Sequence, residues 1–172
     1  MKVAIVGSDP RAVALGRLFV SGGHDVTFGD ASSKDRAEAA AAALGVRSES
    51  LYEQAMTREL LVFALPRTEL DRAVAALGTI PDRVVVVDAM AGAPPAPHRG
   101  AELLARKLDS HEVVRALMAV PLQGANVPIC GDDPEAKSLF AEALNACGCA
   151  TADRGPLSNA PALEPQDASN AA

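Results

Sequence analysis

The chain has 172 residues, which is enough for one domain with a substantial core. Aromatic residues make up only 3% of it and Trp is absent, so alanine and branched aliphatic side chains have to fill that core. The formal net charge of −6, with no cluster of Lys and Arg to offset it, argues against binding to the phosphate backbone of a nucleic acid.

The apolar runs are short. The longest, residues 60–65, falls far below the ~20 residues that span a bilayer, and the first, residues 3–6, falls below the roughly 7–15 residues of a signal-peptide core. We therefore expect no membrane partner and a cytoplasmic location. The cysteines, Cys130, Cys147 and Cys149, follow no metal-ligand or redox spacing, so we expect no metal site.

Strand-like apolar runs alternate with helical patterns along the chain. This alternation predicts βαβ units around a mostly parallel sheet, that is, an α/β fold. A short edge strand is expected near residues 46–48. The strand-like runs cover residues 3–6, 26–28, 60–65, 84–87 and 113–118.

Helices are predicted between these strands. The first begins near Pro10, the second covers about residues 34–44 and ends at Gly45, and Thr68 is expected to cap the third. Residues 89–97 contain three prolines, so we expect an irregular loop there, followed by a further helix.

The last third of the chain contains one more strand and helix. Residues 127–130 carry Pro128, which restricts this strand to an edge or to a strand start. Asp133 is expected to cap the last helix, with Pro134 in its first turn.

The N-terminal strand runs straight into Gly7, and residues 8–11 lead into a helix. A dinucleotide-binding fold begins in this way, with the helix N-terminus directed at a phosphate. In the fingerprint G-x-G-x-x-G, however, Asp9 takes the place of the second glycine and Ala12 that of the third. The fold is therefore expected to be intact and the phosphate contact altered.

Asp9 has two interpretations. If its carboxylate faces a pyrophosphate, a like-charge pair at ~4 Å costs on the order of 4 kcal/mol at an effective dielectric of about 20. Alternatively, Asp9 caps the helix that begins at Pro10. Arg11 either folds back over the phosphates, where Ser8 also offers a hydroxyl, or is a solvated residue of the first turn.

Asp30 ends the second strand, about 20 residues after Gly7, where an acid can accept hydrogen bonds from the adenosine ribose. It would repel a 2′-phosphate, which favours NAD over NADP unless Lys34 or Arg36 reverses the preference. The alternative is that Asp30 is a turn residue beside Gly29.

Two motifs near the C-terminus are more specific: G-D-D-x-E-A-K at residues 131–137 and D-x-G-P-L-S-N at residues 153–159. Together with residues 1–7 and 23–26, they resemble the NADPH-dependent reductases of the deazaflavin coenzyme F420. The resemblance covers residues 1–164. The resemblance implies a Rossmann-like three-layer α/β fold with a mostly parallel sheet and a small C-terminal element. We therefore predict a single NAD(P)-binding Rossmann-type domain over residues 1–164 and a flexible tail over residues 165–172.

The resemblance implies direct hydride transfer between a nicotinamide and a deazaflavin, a small-molecule redox substrate, with no catalytic acid or base among the residues. It also implies three groups of contacts. The nucleotide would contact Gly7, Ser8, Asp9, Pro10 and Arg11; the nicotinamide would lie beside Ala64, Leu65 and Pro66; the deazaflavin would lie beside the segment from Met118 to Pro121 and beside Gly155, Pro156 and Leu157.

The chain departs from this family where ligands would bind. Asp30 and Ala31 stand where the family has a Ser-Arg pair for the 2′-phosphate, and Met118 and Ala119 replace polar residues. The family's C-terminal helix is replaced by Pro165 and a tail of small residues, at the end where the family forms dimers. Whether this chain forms a homodimer is therefore left open. Two functions remain: an NAD(P)-dependent oxidoreductase, or a non-catalytic scaffold, ligand-binding or interaction protein that has lost dinucleotide binding.

Overall fold

The computed structural model describes residues 1–91, 100–110 and 112–163, and it places one sheet between two layers of helices. The strands are β1 (Lys2–Val6), β2 (Asp25–Gly29), β3 (Arg47–Ser48), β4 (Leu60–Phe63), β5 (Val85–Asp88), β6 (Val113–Arg115), β7 (Asn126–Gly131) and β8 (Ala150–Asp153). The α-helices are α1 (Pro10–Ser21), α2 (Lys34–Ala42), α3 (Leu51–Thr57), α4 (Leu70–Leu77), α5 (Gly100–Leu108) and α6 (Pro134–Ala146). Short 3-10 turns cover Arg67–Glu69 and Leu157–Leu163.

The strand order in the described residues is β3-β2-β1-β4-β5-β6-β7-β8. The strands from β3 to β6 are parallel, β7 runs antiparallel to β6, and β8 is parallel to β7. The chain starts in the middle of the sheet, builds outward through β3, and returns to place β4 beside β1. This order is that of a dinucleotide-binding fold, and it confirms the predicted fold class.

The core lies on both faces of the sheet. On one face, α1 and α2 pack over β1 and β2, and α6 packs over β5 to β8. On the other face lie α3, α4 and α5, with α3 against β1 and β2 and α5 against β6. The strand residues point alternately into these two layers, so central strands such as β4 are buried throughout. Phe19, Phe28 and Phe140 fill the first layer and Phe63 the second, while alanines and aliphatic side chains supply the rest.

Several predicted boundaries are wrong in detail. β6 ends at Arg115 instead of residue 118, because Leu117 adopts a left-handed φ of 56° and turns the chain. Thr68 does not cap α4, because a 3-10 turn leads into that helix without a side-chain cap. The strand β8 was not predicted, since none of its residues is fully buried and its short sequence carries no apolar run. Residues 92–99 of the predicted loop and the predicted tail lie outside the described residues.

Pro128 was expected at a sheet edge, yet β7 lies between β6 and β8. The strand tolerates this proline because β6 pairs only with Cys130 and Gly131, so no strand is paired on that side of Pro128. The ladder to β8 continues past it, from Asn126 to Ile129. The physical restriction on proline therefore holds locally, although the strand is internal.

Within residues 1–91, 100–110 and 112–163, no helix is both long and apolar enough to span a bilayer.

Gly7 is the residue that the junction of β1 and β4 requires. Its φ is +129°, and a Cβ placed on it would lie 2.1 Å from the carbonyl oxygen of Ala64. We expect Gly7→Ala to lower the free energy of unfolding by about 4 kcal/mol, because backbone strain adds to overpacking against main chain. Urea unfolding measures this loss.

Gly23→Ala is the matched control for this prediction. Gly23 also has a positive φ, +76°, but no atom lies within 4 Å of the added Cβ. Only the conformational cost remains, about 1–2 kcal/mol. Equal losses in the two variants would show that the approach to Ala64 imposes no steric limit.

Candidate functional site

The sheet changes direction of growth between β1 and β4, and ligands of open α/β sheets bind in the crevice at such a point. The turn after β1 begins at Gly7, whose N–H donates to the Gly29 carbonyl at 2.8 Å, and the Ala64 N–H donates to Val6 at 2.9 Å. The crevice has a volume of about 40 Å³. Its lining contains six residues predicted from the sequence, Gly7, Ser8, Asp9, Asp30, Leu65 and Pro66, together with Arg36 and Glu69.

Asp9 caps α1, as the second of its two interpretations predicted. Its backbone is extended and its Oδ1 accepts from the Ala12 N–H at 2.7 Å. Pro10 has no N–H, and the Val13 N–H is bonded to the Asp9 carbonyl at 3.0 Å. In the described part of the chain, the backbone N–H groups without a protein acceptor at this helix end are those of Ser8, Asp9 and Arg11. A phosphate would therefore find fewer donors here than at an uncapped helix N-terminus.

Asp30 joins the Gly7 turn to the N-terminus of α2. Its side chain is only 3% exposed, and Oδ1 accepts from the N–H groups of Ser32 at 2.7 Å and Ser33 at 3.1 Å. Oδ2 accepts from the Ser8 hydroxyl and lies 3.2 Å from Nη2 of Arg36. Asp30 thus lies at the crevice, where the sequence predicted it, but its carboxylate already holds the surrounding loops.

These contacts fix the charge of Asp30. Burial alone would raise the pKa of the carboxyl, but hydrogen bonds from Ser8, Ser32 and Ser33 and the charge of Arg36 outweigh burial and hold the pKa below its usual value. Asp30 is therefore an anion at neutral pH.

Two arginines connect the walls of the crevice. Arg36, on α2, lies 3.7 Å from Oε1 of Glu69, which ends the turn before α4. Arg72, on α4, donates to the Ser32 hydroxyl at 3.3 Å. A typical ligand pocket has a volume of roughly 300–1,000 Å³, so we expect the contact between Arg36 and Glu69 to open when a nucleotide binds.

A larger cavity of about 550 Å³ adjoins the crevice and shares Asp30 with it. Apolar groups of Ala31, Leu51 and Ala76 line it, and Tyr52, 59% exposed, lies on its rim. The sequence analysis did not identify this cavity, nor the role of Glu69 and Arg72. One signal was available for those two: Glu69 belongs to the turn and Arg72 to the helix that follow β4, the strand that forms one wall of the crevice.

The other half of the carboxyl edge contains a buried ion pair that the sequence analysis also missed. Arg115 Nη1 lies 2.8 Å from Oδ1 of Asp88, and both side chains are fully buried. The same Nη1 donates to the carbonyl of Met90 at 3.0 Å, and Arg67 lies 3.7 Å from Oδ2 of Asp88. This cluster holds the ends of β5 and β6 together.

Arg11 adopts neither of its predicted arrangements. It is partly buried, and its Nη2 donates to the carbonyl of Leu117, next to Met118. Burial lowers the pKa of Arg11, and Arg115 acts in the same direction, while Asp9 and Asp88 act to raise it. The guanidinium therefore links the Gly7 side of the site to the segment that includes Pro121.

The remaining predicted residues lie elsewhere. Gly155 accepts from the Gly131 N–H at 3.1 Å, and the Leu157 N–H donates to Asp132 at 2.9 Å. Leu157 is buried on the second face of the sheet, in a 3-10 turn that packs against α5, β6 and β7. The strands β4 and β5 lie between β6 and β1. Among the described residues, no contact brings Gly155, Pro156 or Leu157 to the crevice.

Comparison with known proteins agrees with this geometry. A family model, described as "NADP oxidoreductase coenzyme F420-dependent", matches residues 2–92, which include β1 to β5 and both sides of the crevice. No curated protein matches the chain.

Solved structures share the fold over nearly the whole chain. A hypothetical protein from Sinorhizobium meliloti is 20% identical, with a TM-score of 0.78, and covers 94% of this chain and 88% of its own. A protein assigned as an F420-dependent NADP-reductase from Arthrobacter sp. FB24 is 21% identical, with a TM-score of 0.77, covering 95% and 88%. An imine reductase from Myxococcus stipitatus in complex with NAD⁺ is 20% identical, with a TM-score of 0.71, covering 95% of this chain and 57% of its own. At these identities the likeness shows the fold alone.

We expect Asp9→Gly to strengthen NADH binding. The change removes a carboxylate beside the phosphate position and frees the Ala12 N–H, which Asp9 now occupies at 2.7 Å. A gain of about 1.4 kcal/mol or more would appear as a tenfold lower Kd in calorimetry. Stability should fall by only a few tenths of a kcal/mol, since Gly is a tolerable cap.

Asp133→Gly is the control. Asp133 caps α6 in the same way, accepting from Ala136 at 2.7 Å, and Pro134 follows it. This variant should show the same small loss of stability and no change in NADH affinity. Weaker NADH binding in Asp9→Gly would make Asp9 a ligand contact and contradict its assignment as a helix cap that hinders the phosphate.

Proposed function

Since the chain belongs to the family of coenzyme F420-dependent NADP oxidoreductases, we propose that it transfers hydride directly between a nicotinamide dinucleotide and a deazaflavin or a similar acceptor. The observation that supports this most is the crevice between β1 and β4, which brings Gly7, Asp30 and Pro66 together at the carboxyl edge of the sheet.

The residues present fit a dinucleotide at this position. Ser8, Asp9 and Arg11 offer backbone N–H groups at the start of α1, where the helix dipole favours a phosphate. Gly7 has no side chain to obstruct the turn. The nicotinamide supplies the hydride when bound. Ala64, Leu65 and Pro66, at the end of β4, would contact the nicotinamide ring and hold it in place.

Direct hydride transfer needs two oriented rings and a dry cleft, and it needs no proton donor. The described side chains at the ends of β4, β5 and β6, the half of the site where the nicotinamide would lie, agree with this requirement. Asp88 and Arg115 are fully buried and paired with each other at 2.8 Å, so their charges offset each other within the protein. The segment from Met118 to Pro121 would carry the acceptor. The placement of Gly155, Pro156 and Leu157 beside a deazaflavin stays a prediction that rests on the resemblance.

Calorimetric titration with NADH, NADPH and oxidised coenzyme F420 tests the proposed function. The chain has one Tyr and no Trp, so Tyr52 fluorescence reports independently on ligands that reach the adjoining cavity. Binding of a nicotinamide dinucleotide together with the deazaflavin would support the proposal. Absence of binding by all of them at millimolar concentration would rule it out.

For the cofactor, we propose that NADH is preferred over NADPH. The cation nearest the ribose position, Arg36, is already shared between Asp30 at 3.2 Å and Glu69 at 3.7 Å. A 2′-phosphate would meet two carboxylates and a guanidinium that they neutralise.

We expect the double change Asp30→Ser and Ala31→Arg to shift the preference toward NADPH. A new charge-assisted contact contributes ~1.5–3 kcal/mol, about a tenfold or larger change in the ratio of the two Kd values. Glu69→Gln should shift the ratio in the same direction, since it releases Arg36 from one carboxylate. Asp71→Asn, which removes only the exposed partner of Lys107, is the control. An unchanged ratio in the double variant would show that Asp30 does not face the ribose.

One observation favours the second candidate, a scaffold that binds no dinucleotide. The crevice is small, and Arg36 and Glu69 connect its walls. In that case calorimetric titration shows no dinucleotide binding to the wild type, and Glu69→Gln does not restore it.

A further inference from the structure

Arg11 spans the half of the sheet edge that lies beyond β1. The residue belongs to the first turn of α1, which follows β1, whereas Leu117 follows β6. The sheet order places β4 and β5 between those two strands. A hydrogen bond from Arg11 to the Leu117 carbonyl therefore crosses the ends of β4 and β5, on the nicotinamide half of a dinucleotide site.

Leu117 forms a turn whose backbone conformation needs support from its surroundings. It is one of two residues other than glycine with a positive φ in the described chain, 56°, and its side chain is buried. A branched residue persists in this conformation only when its surroundings hold it there. The carbonyl that Arg11 binds belongs to this residue, so the charged hydrogen bond acts where the backbone is strained.

The strand before this turn is fixed independently. Arg115 is paired with Asp88 at 2.8 Å, and the Ala116 N–H donates to the Asp88 carbonyl at 3.2 Å. The chain is thus anchored up to Ala116 by β5. From Leu117 onward, the contact that reaches it from the nucleotide side is that of Arg11. Met118 is half-buried, and Ala119 and Val120 are exposed.

We propose that Arg11 is a positioning residue for the second substrate: by holding the turn at Leu117 it sets the segment from Met118 to Pro121 against the nicotinamide half of the crevice. This inference rests on the proposed function, because that segment is where the acceptor would bind. The helix that carries the dinucleotide phosphates would then also determine where the acceptor lies. Arg11 acts through Leu117 and takes no part in the hydride step itself.

Three variants separate this role from a general effect on stability. Arg11→Met removes the donor and keeps the aliphatic stem, Arg11→Lys keeps a charged donor, and Arg17→Met changes an exposed arginine two turns along the same helix. Calorimetry with NADH and, separately, with oxidised coenzyme F420 gives the two affinities.

Arg11→Met should weaken deazaflavin binding about tenfold or more, and NADH binding clearly less, because the change keeps the backbone N–H that Arg11 offers to the dinucleotide. Arg11→Lys should recover about a third or more of the lost free energy of deazaflavin binding, because an ammonium can donate to the same carbonyl. Arg17→Met should match the wild type. Unchanged deazaflavin affinity in Arg11→Met, or equal weakening of both ligands, would overturn the proposal.

Hydrogen exchange of the peptide that covers residues 113–122 tests the same role without any ligand. Arg11→Met should exchange at least about tenfold faster there, with Arg11→Lys intermediate and Arg17→Met unchanged. This readout separates two failures. If the wild type binds NADH but no deazaflavin, the proposed acceptor is wrong, and the exchange result still decides whether Arg11 holds the turn. If Arg11→Met does not fold, the comparison of Arg11→Lys with the wild type decides it, and equal exchange overturns the proposal.

Discussion

The close approach of β1 and β4 is the constraint on which the site depends. Their ends come so near that the residue after β1 can have no side chain, since a Cβ on Gly7 would lie 2.1 Å from the carbonyl oxygen of Ala64. With this junction closed, α1 begins directly above the edge of the sheet, and the turns after β1, β2 and β4 meet at one crevice. Main-chain packing alone therefore places the candidate site at this point of the sheet.

Charged side chains then connect the walls of the crevice. Asp30 is a buried anion whose bonds to Ser8, Ser32 and Ser33 hold two turns together. Arg36 connects it to Glu69 on the opposite wall. These contacts are between charged groups at a partly solvated edge, so separating them costs far less than disrupting the core. A crevice held in this way can admit a nucleotide by exchanging one set of charged contacts for another.

The sequence predicted the features that depend on neighbours along the chain. The alternation of apolar runs and helices predicted the fold, and Asp9-Pro10 and Asp133-Pro134 predicted two capped helix starts, because caps act over three residues. It could not predict contacts whose partners are far apart. The bonds from Arg11 to Leu117, Arg115 to Asp88 and Arg36 to Glu69 depend on how β4, β5 and β6 are placed, which no local pattern contains. For Asp30 the position was predictable, but the occupation of its carboxylate was not.

We propose that a nicotinamide dinucleotide binds in the crevice between β1 and β4, and that the contact between Arg36 and Glu69 opens when it binds. A crystal structure of the wild-type protein with NADH measures this most directly, through the distance from Nη2 of Arg36 to Oε1 of Glu69, which is 3.7 Å in the present structure. We predict that the pyrophosphate lies at the N–H groups of Ser8 and Arg11 and that Arg36 and Glu69 are no longer within ion-pair distance. NADH bound elsewhere, with that contact intact, would contradict the claim.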